Sequence, residues 1–138
     1  MKKRCYISGP MSNIINYNQY EFNKAQEYLE EFHDFDVVNP VSVSQLCGGC
    51  SAVARSYECA QRLLQTPTPY TDITDRQADE KAARLYRSCM DADLALIRGC
   101  DCIFMLRGWE NSVGAKRELV EAINNGLEVI LQKEEEAK

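Results

Sequence analysis

Two stretches that lie far apart in the chain carry residue types that could do chemistry together. The first is "CYISGP", in which Tyr6 and Ser8 stand just before a Gly-Pro break. The second is "GWENSVGAKRE", which ends in Glu118. A carboxylate can act as a nucleophile. We predict that the two stretches meet in space and form one site.

Glu118 is well placed for chemistry if Ser112 is the N-cap of a helix. Gly114 and Ala115 then lie four and three residues before Glu118 and share its face. Because helical side chains lean toward the N-terminus, Glu118 points back over these two small residues, which leave space above them. Near the positive end of the helix we expect the carboxylate to stay ionised. The Ser112 hydroxyl and the free N–H groups of the first turn suit a phosphate.

Ordinary explanations exist for the same residues. Surface helices often carry glutamates, so the spacing alone leaves Glu118 either functional or simply solvated. Asp93 is either part of the site or a plain surface residue of its helix. Trp109 is the only tryptophan, and it is either a core residue or a platform that stacks on a ligand.

The elements that must position these residues alternate between strand and helix. Strands are predicted at Arg4–Ser8, Asp36–Val38, 100–106 ("CDCIFML") and 127–132 ("LEVILQ"). Helices are predicted at Tyr17–Phe32, Ser51–Gln65, Asp75–Arg98 and from Ser112 to the Asn125-Gly126 pair. This alternation predicts a single three-layer α/β/α domain over residues 1–138, with a parallel sheet of four to five strands. Residues 41–75 are predicted to be an insertion or flap over one end of the sheet.

Open parallel sheets bind ligands beyond the carboxyl ends of their strands. Three predicted segments leave that edge of the sheet, one after each of the first three strands. Gly9 at the end of the first strand would let a backbone approach a ligand closely. We therefore predict a pocket that is lined by Ser8, Gly9, Pro10, Met11, Asn39, Gly108, Trp109, Ser112 and Gly114.

The composition narrows the class of partner. The net charge of −5 argues against a nucleic-acid polymer or an anionic membrane surface, because both require basic patches. A small anionic ligand in a local site is still compatible with that charge. The "MKKR" start is not followed by the apolar segment of a signal peptide, and no apolar run approaches the length of a membrane span. We expect a cytoplasmic protein without a membrane partner.

Seven cysteines are many for 138 residues. Because the count is odd and the location is expected to be intracellular, we predict free thiols rather than a disulfide framework. Cys47, Cys50 and Cys59 leave a structural zinc site or a redox pair as other interpretations, although the second pair of zinc ligands is absent. The cysteines in or beside apolar strands are predicted to be small buried residues: Cys5, Cys100 and Cys102.

The motifs resemble a known family. "YISGPMS", the "NP" after the second strand, "DADLALIRGCD" and "GWENSVGAKRELVEAINNG" are similar to the phage- and bacteria-associated domain of unknown function in the nucleoside 2-deoxyribosyltransferase superfamily. The similarity covers both ends of the chain and leaves residues 41–90 mostly outside it. Relatives in that superfamily are nucleoside 2-deoxyribosyltransferases and 2′-deoxynucleoside 5′-monophosphate N-glycosidases. The resemblance implies a Rossmann-like, flavodoxin-like fold.

The resemblance also implies a reaction in which a glutamate attacks the anomeric carbon of deoxyribose and displaces the base. Glu118 falls on that nucleophile, Asp93 on an aspartate that contacts sugar or base, and Tyr6 on the aromatic residue beside the nucleophile. Ser112 falls where the N-glycosidases bind the 5′-phosphate and the transferases carry aspartate, which favours a nucleotide. No metal or other cofactor is implied. A homodimer or larger assembly is implied, since relatives complete the pocket with a neighbouring subunit.

Some residues depart from the family pattern. Lys116 stands where the relatives usually have a second glycine, so it would narrow the pocket or contact a phosphate. Pro10 and the "RGWE" loop also differ from the characterised enzymes. The alternative function is a nucleotide-binding or sensing module that uses the same cleft without turnover.

Overall fold

The strands and helices follow the predicted alternation. The computed structural model describes residues 2–11, 15–42 and 49–133. The strands are β1 (Arg4–Ser8), β2 (Asp36–Val38), β3 (Cys102–Met105) and β4 (Glu128–Leu131). The helices are α1 (Gln19–Phe32), α2 (Cys50–Leu63), α3 (Ile73–Arg98) and α4 (Val113–Asn124), and short 3-10 turns precede α1 at Ile15–Asn18 and α4 at Trp109–Asn111.

The four strands form one parallel sheet in the order β2-β1-β3-β4. β1 is central: Tyr6 lies opposite Val38 of β2 and Ile103 of β3, and Ser8 lies opposite Met105. Parallel neighbours need crossover connections, which the helices provide. The predicted parallel sheet and its three-layer α/β/α arrangement are confirmed.

Alternation along β1 divides its side chains between two cores, because successive strand residues point to opposite faces. Cys5 and Ile7 belong to a buried cluster with Phe22 and Leu29 of α1. Tyr6 belongs to a second cluster on the other face, together with residues from the end of α3, from β3 and from α4: Ile97, Ile103, Met105, Ala115 and Ala122. Tyr6 and Ser8, two residues apart, therefore face α4.

Both ends of α4 follow the predicted signals. The Ser112 side chain accepts a hydrogen bond from the Ala115 N–H at 3.1 Å, which is the N-cap arrangement. After the helix, Gly126 adopts a left-handed conformation with φ of 74°, and Leu127 N donates to Ala122 O at 3.0 Å. That bond belongs to the Schellman motif of helix ends. The cap signals thus fix how far along the chain the helix that carries Glu118 extends.

The chain divides into two compact units. The first comprises Met1–Val41 and Asp93–Lys138 and contains the sheet, and the second comprises Ser42–Ala92. The predicted insertion at 41–75 falls almost entirely within the second unit, which continues to Ala92. α3 is one continuous helix whose last residues, from Asp93 onward, belong to the first unit.

The second unit is held together by polar contacts between α2 and α3. Ser56 Oγ donates to Ala82 O and accepts from Tyr86 N, each at 2.6 Å. Arg62 donates two hydrogen bonds to Asp79 at 2.8 and 2.9 Å. A two-pronged arginine–carboxylate pair of this kind is stronger and more directional than a single hydrogen bond.

The cysteines only partly follow the expectation. Cys5, Cys100 and Cys102 are buried free thiols, as predicted. The prediction is wrong for Cys89, which is disulfide-bonded to a partner outside the described side chains. A sequence cannot reveal this, because pairing depends on whether two Cα atoms come within about 7 Å of each other.

No helix in the described part of the chain is long and apolar enough to cross a membrane.

Candidate functional site

Glu118 is where the two predicted stretches meet. Its side chain on α4 is buried, with 7% of the residue exposed. Tyr6 Oη donates to Glu118 Oε2 at 2.5 Å, and Ser8 Oγ donates to Glu118 Oε1 at 2.7 Å. Tyr6 and Ser8 are fully buried. Two hydroxyl groups from one face of β1 therefore hold both oxygens of one carboxyl group.

The electrostatic environment of Glu118 differs from the expected one. Burial raises the pKa of Glu118 to about 7, and the hydrogen bonds from Ser8 and Tyr6 lower it without offsetting the burial. The expectation that the carboxylate simply stays ionised is therefore wrong. Glu118 lies in the second turn of α4, whereas the helix dipole acts mainly within the first turn. Near neutral pH this carboxyl group is present in both its charged and its neutral form.

Asp93 of α3 is half-buried and interacts electrostatically with Glu118 and Tyr6. Its Oδ1 atom is shielded from solvent and has no hydrogen-bond partner among the described residues. Burial, followed by the negative charge of Glu118, raises the pKa of Asp93 to about 8, while a hydrogen bond with Tyr6 lowers it. Asp93 is thus not the plain surface residue of the alternative interpretation. It is predominantly protonated at neutral pH and can donate a proton.

Tyr6 lies between the two carboxyl groups. Burial raises its pKa well above the ordinary value, and the negative charges of Glu118 and Asp93 raise it further. The phenol therefore keeps its proton at any physiological pH. The hydrogen bond that it donates in the structure goes to Glu118 Oε2.

The exits of β1 and β3 pack directly on each other. A Cβ atom at Gly9 would lie 2.7 Å from Leu106 Cβ, so no larger residue fits there without displacement. Gly108 has φ of 88°, and a Cβ atom there would lie 3.4 Å from Pro10 Cγ. Leu106 N also donates to Ser8 O at 2.8 Å. The group that approaches Gly9 closely is thus Leu106 and not the ligand that was expected there.

The first turn of α4 is open on its Gly114 side. A Cβ atom at Gly114 would meet only Ser112 Oγ, at 4.0 Å. The Ser112 hydroxyl accepts from Ala115 N and keeps its own proton for another acceptor. Lys116, which was expected to narrow the pocket or to contact a phosphate, is exposed. Of the two small residues over which a hollow was predicted, Gly114 therefore has open space beside it, whereas Ala115 is buried in the cluster that contains Tyr6.

The side chain of Asn39, at the exit of β2, is hydrogen-bonded to other residues of the protein. Its Nδ2 group donates to Asn23 Oδ1 and to Gln26 Oε1, both at 3.0 Å, and its Oδ1 accepts from Val41 N at 3.0 Å. These bonds tie the exit of β2 to α1. The amide of Asn39 has its hydrogen-bonding groups satisfied without a ligand.

Two predicted pocket residues pack at the margins of the cores. Trp109 is half-buried and packs against the cluster that contains Tyr6. Met11 is half-buried and packs against the cluster on the α1 face. Each leaves part of its side chain exposed, so core packing and a ligand contact are both compatible with these positions.

The hydrogen bond from Ser8 to Glu118 was not predicted from the sequence. Ser8 was expected only to line the pocket. The signal was present, since Tyr6 and Ser8 are two residues apart in a strand and must share a face. What was lacking was the register of α4 over that face. It brings the carboxyl group of Glu118 within 2.7 Å of the Ser8 hydroxyl.

No group of three or more His, Cys, Asp or Glu residues that could hold a metal ion occurs in residues 2–11, 15–42 and 49–133. Cys47 and the side chain of Cys50, on which the zinc and redox interpretations depend, lie outside the described residues.

Comparison with known proteins identifies one family. A protein-family model described as "Domain of unknown function (DUF4406)" matches residues 3–62 and 77–131. These ranges include Tyr6, Ser8, Asp93 and Glu118, and they also include α2, which the resemblance read from the sequence had left mostly outside. No curated protein and no solved structure matched the chain.

Proposed function

This chain belongs to the DUF4406 family, and we propose that it cleaves the N-glycosidic bond of a 2′-deoxynucleoside 5′-monophosphate with Glu118 as the nucleophile. The observation that carries the proposal is the buried carboxyl group of Glu118, held by the hydroxyls of Tyr6 and Ser8 and coupled electrostatically to a second carboxyl group, Asp93, whose Oδ1 atom is shielded from solvent. Titratable groups whose pKa values are shifted by burial and by each other are typical of functional sites.

The proposed first step uses the two carboxyl groups in opposite protonation states. The ionised Glu118 attacks C1′ of the deoxyribose, and the C1′–N bond breaks as the new C–O bond forms. The bonding electrons leave with the base, which takes the proton of the neutral Asp93. The pKa of Asp93, raised to about 8, favours the protonated form that this step requires.

The proposed second step regenerates the protein. A water molecule attacks C1′ of the glycosyl ester, the bond to Glu118 breaks, and the ionised Asp93 accepts the proton that the water loses. If a second base replaces the water, the same intermediate gives transfer. The sum of both steps consumes one water and leaves both carboxyl groups as they began.

The proposed site for the 5′-phosphate is the first turn of α4. The N–H groups there have no acceptors within the helix, and helix N-termini attract anions. The proton of the Ser112 hydroxyl is also available, because Ser112 Oγ acts as an acceptor toward Ala115 N. This feature favours a nucleotide over a free nucleoside.

The decisive experiment incubates the protein with each 2′-deoxynucleoside 5′-monophosphate and measures the free base by chromatography. We expect base release by the wild type and none above background by Glu118→Gln. The matched control is Glu121→Gln, the same change in the same helix at a residue that pairs with Arg98, and it should keep the activity. Thermal stabilisation by a nucleotide without any base release would instead favour the binding-only alternative.

The phosphate assignment has its own test. Ser112→Asp keeps an N-cap side chain but places a negative charge where the phosphate is proposed to bind. We expect it to lose at least tenfold in activity on the monophosphate while retaining activity on the corresponding deoxynucleoside. An equal loss on both substrates would contradict the assignment.

We also propose that the protein is a homodimer or a larger assembly of identical chains. Supporting this, the α4 side of the β4 edge exposes a set of apolar side chains: Val113, Val120, Ile123, Val129 and Leu131. Exposed apolar groups of this kind are typical of interaction surfaces. Light scattering after size-exclusion chromatography should give at least twice the 15.7 kDa mass of the chain. Val120→Asp should lower that mass.

A further inference from the structure

We propose that Ser8 is a positioning residue for Glu118, and that its hydroxyl holds the carboxylate in the attacking orientation and favours its ionised form. The inference rests on the proposed function, because it concerns the nucleophile of that reaction. It assigns Ser8 a role different from the ligand contact that the sequence suggested.

The position of Ser8 leaves its hydroxyl little choice of partner. The residue is fully buried at the end of β1, and its backbone oxygen accepts from Leu106 N at 2.8 Å. The hydroxyl has a single proton, which it donates to Glu118 Oε1 at 2.7 Å. A ligand could take that proton only by breaking a buried, charge-assisted hydrogen bond.

The two hydroxyls act on different oxygens of the same carboxyl group. Tyr6 holds Oε2 and Ser8 holds Oε1, so together they fix the rotation of the carboxyl plane. Each oxygen keeps a second lone pair that is free for attack. With Tyr6 alone, the carboxyl group would have one tether and could rotate about its last bond. An attack that requires alignment with C1′ is sensitive to that freedom.

Ser8 also bears on the charge of the nucleophile. A hydrogen bond donated to a carboxylate favours the ionised form, and those from Ser8 and Tyr6 are the two effects that lower the pKa of Glu118. The titratable groups facing this site are Tyr6 on β1 and Asp93 on α3. β3 contributes apolar side chains to the same core, and Glu110 on the nearby 3-10 turn is exposed. Within the described residues, both hydrogen-bond partners of Glu118 are neutral hydroxyls.

The test compares the pH–rate profiles of the wild type, Ser8→Ala and Ser8→Cys, in which the weak thiol donor replaces the hydroxyl. Without the hydroxyl, the acid limb should move up by about one pH unit. The rate at pH 6 should then fall about tenfold, more than the rate at the pH optimum of each variant, with KM nearly unchanged. The acid limb of Ser8→Cys should lie between those of the wild type and Ser8→Ala. The matched control is Cys5→Ala, a fully buried change on the other face of the same strand, which should leave the limb in place.

A second measurement does not depend on turnover. The infrared carbonyl band of protonated Glu118, identified by its loss in Glu118→Gln, should titrate at higher pH in Ser8→Ala than in the wild type. If neither the acid limb nor the titration of the infrared band moves in Ser8→Ala, the proposed role of Ser8 is overturned. A raised KM with unchanged kcat in Ser8→Ala would also overturn it and would indicate that Ser8 contacts the ligand. If the wild type releases no base, the proposed function fails, and the infrared titration still decides whether Ser8 controls the charge of Glu118.

Discussion

Replacement of Glu118 by glutamine should stabilise the protein at alkaline pH. The side chain is almost fully buried, and the hydrogen bonds from two neutral hydroxyls only partly offset that burial, so its ionisation is less favourable in the folded state than in water. Glutamine has nearly the same shape and no charge. Its amide can accept from one hydroxyl and donate to the oxygen of the other. The substitution therefore removes the buried charge and preserves the hydrogen-bonded arrangement.

The magnitude follows from the two pKa values. The pKa of Glu118 is about 7 in the folded protein, compared with an ordinary value of 4.5. Because the folded state keeps the proton longer than the unfolded state, the free energy of unfolding falls as the pH rises between these values. The full loss is about 3 kcal/mol, of which about 2 kcal/mol occurs between roughly pH 5.5 and 8. Glu118→Gln does not undergo this loss, so its advantage over the wild type should grow by that amount.

Urea unfolding of both proteins at several pH values between about 5.5 and 8 measures this difference, since the free energy of unfolding is linear in denaturant. Glu121→Gln serves as the control, because its carboxyl group pairs with Arg98 near the surface. Parallel pH profiles for wild type and Glu118→Gln would refute the reasoning, as would a variant that is less stable than the wild type at pH 8. Either result would mean that Glu118 is not a destabilised, buried carboxyl group.

Four further substitutions separate packing from function. Gly9→Ala should lower the free energy of unfolding by about 1–3 kcal/mol, because its Cβ would lie 2.7 Å from the buried Leu106; urea unfolding measures this, and an unchanged midpoint would contradict it. Gly114→Ala should leave stability unchanged or raise it by up to about 1 kcal/mol and yet reduce base release, since its Cβ enters open space. Asp79→Ala, which removes a partly buried acceptor, should lower the melting temperature more than Arg76→Ala, which breaks an exposed pair.

The local elements of this fold could be predicted from the sequence. Ser112 as N-cap and the Asn125-Gly126 pair as helix end are short-range signals, and hydrogen bonds within a few residues satisfy them. The parallel sheet followed from strands that alternate with helices, because neighbouring parallel strands require such connections. Glu118 could be named as a candidate from its spacing to Ser112 and Gly114, whereas Asp93 and Tyr6 were assigned their roles through the resemblance to a known family.

Only the tertiary structure shows which of those residues contact one another. That Ser8 binds Glu118, that Leu106 is the neighbour of Gly9, and that Cys89 forms a disulfide depend on which distant segments pack together. The charge of Glu118 also follows from packing: the sequence places it near a helix N-terminus, but burial raises its pKa to about 7 despite the hydrogen bonds from two hydroxyls. Desolvation depends on the whole surrounding fold, whereas a cap or a turn depends on a few adjacent residues.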